Sequence, residues 1–126
     1  MKLTLKQLVL AHNTIKELNT TKGLKGSVAY KIAKNYKLIE DEMEPYLKTE
    51  QAVVQKYALK DDNGEYRVSN NQYLFSTQDI ETVQNELNEI QTEEVEIDIK
   101  TISLDDLEDV GLSGEQLINI EFMLGE

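Results

Sequence analysis

The sequence predicts an α+β fold, mainly α, in which antiparallel helices accompany a small antiparallel β element made of a hairpin and a strand near residues 95–99. Three observations carry that expectation. Apolar residues recur at three- and four-residue spacing over three long stretches, the period of a helix with one buried face. Thr4 and Ser76 stand before two of those stretches, followed three residues later by Gln7 and Asp79, as in side-chain caps of helix N-termini. Only Glu93 to Ile99 alternates acidic and apolar residues with the period of two that marks a strand. A chain of 126 residues is long enough to bury a core without staples. A single domain over residues 1–126 is therefore expected.

The elements follow in order. Thr4-Leu5-Lys6-Gln7 has the form of a capping box, so a helix is expected over residues 4–19, with Leu8, Ala11, Ile15 and Leu18 on its apolar face. Gly23 ends the pattern, because glycine takes the left-handed conformation that closes helices. Residues 27–58 hold the longest stripe: Ile32, Tyr36, Ile39, Met43, Tyr46, Glu50, Val53 and Tyr57 alternate steps of four and three. In a chain this short such a stripe is expected to pack within the molecule rather than in a coiled coil. Pro45 lacks an N–H and clashes with the preceding turn, which leaves one kinked helix or two. Glu50 is the one polar member of the stripe, either at its rim or buried with a partner.

Asn63-Gly64 fits a type I′ hairpin turn with residues 57–59 and 66–68 as arms. Ser69 to Gln72 reads as a polar loop and Tyr73-Leu74-Phe75 as an apolar anchor. Ile80, Val83, Leu87 and Ile90 mark a third helix within residues 77–92. A lone strand cannot satisfy its backbone, so residues 95–99 are expected to pair with the hairpin around Gly64. Ser103 and Ser113 cap two short C-terminal helices, the last near residues 114–124. Ile32, Ile39, Met43, Leu87 and Ile90 are the expected core.

The search for chemistry eliminates more than it finds. Without cysteine there is no disulfide, thiolate nucleophile or cysteine-ligated metal. His12 is the only histidine, so no two-histidine metal site exists, and inside the first helix it reads as a surface residue. Lys22 to Ser27 lacks the spacing of a phosphate loop, and the acids around Asn63 lack that of a calcium loop. No catalytic, cofactor-binding or metal residue is expected, no cofactor, and neither a signal peptide nor a membrane span.

Charge is the strongest remaining signal. Residues 1–60 carry eleven lysines against six acids, a balance of +5, whereas residues 61–126 carry two bases against eighteen acids, a balance of −16. The acidic half offers a candidate interaction surface at Glu93, Glu94, Glu96 and Asp98; the bland alternative is solubility. The basic half offers a weaker patch, Lys25, Lys31, Lys34 and Lys37, interleaved with Tyr30 and Tyr36. Lysines could meet phosphates there and tyrosines could stack on bases. Against a net charge of −11, direct nucleic-acid binding is not expected.

Three segments together, LTLKQLVLAHNTIKEL, IAKNYKLIEDE and the acidic close VEIDIKTISLDDLEDVGLSGEQL, resemble a family of uncharacterised small proteins encoded by bacteriophages and prophages of Gram-positive bacteria. The similarity spans most of the chain and contains no catalytic motif. It implies a cytoplasmic setting in the host cell and an accessory role. The expected function is a non-enzymatic regulator, inhibitor or assembly factor acting by protein–protein interaction on a phage or host protein, with homo-oligomerisation left open. One alternative is an acidic nucleic-acid mimic that inhibits a host DNA-binding or defence protein. Another is an enzyme with an unrecognised carboxylate site.

Overall fold

The computed structural model describes residues 1–125. It is mainly α with small two-stranded sheets, as the periodicities indicate. The order is β1 (Lys2–Thr4), α1 (Leu5–Asn19), α2 (Gly26–Tyr57), β2 (Val68–Ser69), β3 (Gln72–Tyr73), α3 (Thr77–Gln91), β4 (Glu94–Glu96), β5 (Ile102–Ser103), α4 (Gly114–Asn119) and β6 (Leu124–Gly125). Single 3-10 segments cover Leu104–Val110 and Glu121–Met123. The chain divides into two compact units, one formed by Met1–Met43 and the residues from Glu94 onward, the other by Glu44–Glu93.

The first unit holds most of the buried apolar side chains. Thr4 completes the expected capping box: its hydroxyl accepts the Gln7 amide, and Gln7 Oε1 accepts the Thr4 amide at 2.9 Å. Leu8, Ala11 and Ile15 of α1 are fully buried, as is Ile32 of α2, and Ile39 and Met43 are nearly so. Each such side chain contributes roughly 1.5–3 kcal/mol relative to exposure. The 3-10 segment after Ser103 stops at Gly111, whose φ of 78° needs no Cβ to be accommodated.

The strand near residues 95–99 has a different partner from the one expected. Glu94–Glu96 pairs antiparallel with Lys2–Thr4, in the register Lys2 to Glu96 and Thr4 to Glu94, and not with the hairpin around Gly64. Beyond Glu96 the ladder gives way to two other contacts. Ile97 N–H donates to the Met1 carbonyl at 2.9 Å, and the Asn35 side chain both donates to the Lys100 carbonyl and accepts its N–H, each at 2.8 Å. Asn35 is completely buried and substitutes for a neighbouring strand. It falls on the Ile32–Ile39 face, where a polar residue has to find its partners inside the protein.

The second unit begins beside Pro45. Helix α2 is one element through the proline. Proline withholds the N–H that would reach the Asp41 carbonyl, and both residues are exposed, so water can take that acceptor. In the loop after α2, Asp61 Oδ1 accepts the amides of Asn63 (2.8 Å) and Glu65 (3.0 Å), and Lys60 and Tyr66 form a single antiparallel bridge. Only Gly64 has positive φ there, so the Asp61 carboxylate organises the turn in place of a type I′ pair. The two positive-φ residues that a type I′ turn requires are Asn70 and Asn71, in the segment read as a polar loop. They join β2 to β3 in a two-residue hairpin.

The terminal helix is shorter than the expected 114–124: α4 ends at Asn119, and Leu124–Gly125 runs parallel to Ile102–Ser103. Leu87 and Ile90, expected in the core, are only half-buried. The second unit as a whole buries little: Tyr46, Ala58 and Val83 are its only buried apolar residues.

Candidate functional site

An open groove of about 930 Å³ lies within the second unit. Helix α2 supplies Leu47, Glu50, Gln51 and Val54 to it, and α3 supplies Ile80 and Val83. The chain from Asn71 through Phe75 forms the remaining wall. Leu47 of α2 and Ile80 of α3 are each 46% exposed, large apolar side chains left facing water.

Local sequence explains the groove. Ser76 accepts the Asp79 amide and starts α3 directly after Phe75, so the apolar anchor Tyr73-Leu74-Phe75 is delivered to the helix N-terminus. The Asn70-Asn71 turn folds β3 back on β2, and the Leu74 N–H donates to the Arg67 carbonyl at 3.0 Å, fixing that wall. Leu59 N–H in turn donates to the Leu74 carbonyl at 2.8 Å.

One charged side chain is held in this apolar setting. Gln91 Nε2 donates to the Tyr46 hydroxyl at 2.7 Å, and that hydroxyl donates to Glu50 Oε2 at 2.8 Å. Tyr46 is 3% exposed. Burial raises its pKa, the Glu50 carboxylate adds to the rise and Gln91 opposes it, so the hydroxyl remains a donor at neutral pH. Glu50 is half-buried and partnered, intermediate between the two readings of its place in the stripe. Among the described residues its second oxygen, Oε1, has no hydrogen-bond partner, and no lysine or arginine pairs with it.

The acidic candidates are exposed, and two of them are engaged. Glu96 Oε1 lies 2.7 Å from the Met1 amino group, and Lys100 Nζ donates to Asp98 Oδ2 at 2.8 Å, which holds the Asp98 carboxyl below its ordinary range. Glu94 lies in β4 opposite Thr4, and Glu93 precedes that strand. In the basic patch Lys25 is 3.9 Å from Asp106, Lys37 is 3.6 Å from Asp41, and Lys34 sits 5.8 Å above the ring of Tyr30. Lys31 has no ion-pair partner among the described residues.

His12 is more than a lone surface residue. Its Nε2 lies 2.7 Å from Glu40 Oε1 and its ring stacks on Tyr36 with centroids 5.7 Å apart, joining α1 to α2. The Tyr36 hydroxyl, then the imidazole, hold the Glu40 carboxyl below its ordinary range. All three side chains are partly exposed. A second, smaller apolar exposure occurs in the first unit, where Leu10, Ile118 and Phe122 line a shallow recess of about 190 Å³. Among the described residues no cluster of three metal-ligating side chains occurs, and no helix is long and apolar enough to cross a membrane.

Sequence reasoning reached the parts of the groove but not the groove. Periodicity places Ile80 on a buried face, and Tyr46 and Glu50 fall in a stripe whose spacing indicates packing rather than a site. Comparison with family models, with curated proteins and with solved structures finds no match.

Proposed function

We propose that the protein is a non-enzymatic accessory protein of phage type that works by binding another protein through the groove of residues 47–83. The observation that supports this reading most directly is the exposure of Leu47 and Ile80, from two different helices, in the lining of one recess. Apolar side chains scattered singly over a surface carry no such meaning, whereas a contiguous concave set marks a surface that a partner covers. A hydrogen-bonded chain from Gln91 through Tyr46 to Glu50 at its edge, with no histidine or lysine of the described residues joined to it, suits recognition better than catalysis.

The acidic-mimic alternative gains less. A row of carboxylates spaced like phosphates has to be free to meet a basic groove, and Glu96 and Asp98 are each occupied by a cation of the same unit.

Photo-crosslinking tests the reading. A photoreactive residue placed at Leu47 or Ile80 is expected to give a discrete adduct in host cells. The same residue at Tyr30, on the outer face of α2, is expected to give none. Adducts confined to Ile118 would move the binding surface to the first unit, and the absence of adducts at every position would remove the interaction reading.

A further inference from the structure

The groove's chemistry narrows what it binds. Its floor is apolar, but its wall carries Glu50, whose carboxylate is oriented by Tyr46 and, through Tyr46, by Gln91. A half-buried carboxylate with one oxygen left over is costly to desolvate further unless a cation meets it. The unit has three lysines, and each is engaged elsewhere: Lys48 is 3.3 Å from Glu44, Lys56 lies over the ring of Tyr57, and Lys60 over that of Tyr66. The surroundings have the same sign, since residues 44–93 carry ten acids against four bases. A neutral apolar partner would bury the charge and the second oxygen of Glu50 with only the Tyr46 hydroxyl to offset it, and an acidic one would be repelled.

We propose that the groove receives an amphipathic segment of another protein whose apolar side chains cover Leu47, Val54 and Ile80 and whose lysine or arginine pairs with Glu50. This rests on the interaction reading above and adds the partner's charge to it. The cation meets a carboxylate already fixed in place, so little side-chain entropy is lost on pairing. The acidic surroundings attract the segment before contact, which makes association fall with rising salt.

The test is selection of a random twelve-residue peptide library on the full-length protein, followed by affinity measurement on the enriched peptides. Enriched sequences are expected to carry a lysine or arginine flanked by apolar residues. Their Kd is expected to rise about tenfold with Glu50→Gln, and by a similar factor when norleucine replaces the peptide's basic residue, a change that leaves the protein untouched. Ile80→Asp is expected to abolish binding. Peptides that depend on Ile80 but not on Glu50 or on their own charge would overturn the cation pairing while leaving the groove as a binding surface. Failure to enrich any Ile80-dependent peptide would overturn both. A wild-type dimer in sedimentation that Ile80→Asp converts to monomer would make a second copy of this chain the occupant, and would also overturn the proposal.

Discussion

In the unit built from residues 1–43 and the segment after Glu94, sixteen apolar side chains are buried; in the unit of residues 44–93, only Tyr46, Ala58 and Val83 are. The second unit is smaller, but not by enough to explain a fivefold difference. Its apolar residues are present, and many are left partly exposed: Leu47, Val68 and Ile80 are about half exposed, and Leu87 and Ile90 are intermediate. The first unit also leaves apolar side chains such as Leu10 and Ile118 exposed, but around a closed core that does not depend on their being covered. A unit without a closed core gains stability from whatever covers it, because anything that binds only the folded form adds its binding free energy to folding. The contrast supports the binding role proposed for residues 44–93.

Truncating a fully buried side chain puts the contrast under its heaviest load. Ile39→Ala in the first unit is expected to cost about 2–5 kcal/mol in urea denaturation, for lost transfer energy and the cavity left behind. A loss below about 0.5 kcal/mol would mean that the core is not closed around Ile39. Next in size is Asn35→Ala, which orphans the Lys100 N–H and carbonyl that no sheet neighbour serves. A loss of about 2 kcal/mol is expected. A serine at that position, too short to bridge both groups, should recover little of it.

Those two residues also show how much of the fold was legible. Ile39 sits in a stripe of apolar residues with helical period, a pattern in which each position reinforces the others. Asn35 lies on the same face, but a single polar residue does not name its partner, and Lys100 is 65 positions away. The β element was recognised by its alternation at Glu94–Ile99, yet three residues at the chain's start carry too little pattern to identify themselves as its partner. The groove was least visible of all. Periodicity tells which side of a helix is apolar and not whether anything covers it, so Ile80 and Val83, one 46% exposed and one buried, look alike in sequence.

Ile80→Ala sharpens the comparison from the other side. At a half-exposed position the truncation is expected to change the stability of the free protein by no more than about 0.5 kcal/mol, while a bound basic amphipathic peptide should lose affinity measurably. Hydrogen exchange offers a view without mutation. Amides in residues 46–57 of α2 are expected to exchange sooner than those in residues 32–42 of the same helix, because fewer buried contacts protect them. Equal protection along the helix would show that the open unit is as firmly held as the closed one.

The smallest expected effect lies in the first unit and depends on pH. Glu40 is held below its ordinary carboxylate value of 4.5, first by the Tyr36 hydroxyl and then by His12, with burial opposing both. A carboxyl with a lower pKa in the folded than in the unfolded chain contributes stability that is complete above the unfolded value and is lost as pH falls through the folded one. Thermal unfolding of wild type should therefore lose slightly more stability between pH 6 and pH 3 than Glu40→Gln, which has no proton to take up at that position. Because 40% of the Glu40 side chain is exposed, screening by water limits the difference to well under about 1 kcal/mol. Tyr36→Phe should remove more of it than His12→Asn, in keeping with the order of their influence on the carboxyl. The reverse order would make the imidazole the principal partner of Glu40, and identical acid profiles for wild type and Glu40→Gln would mean that the contact between α1 and α2 relies on packing alone.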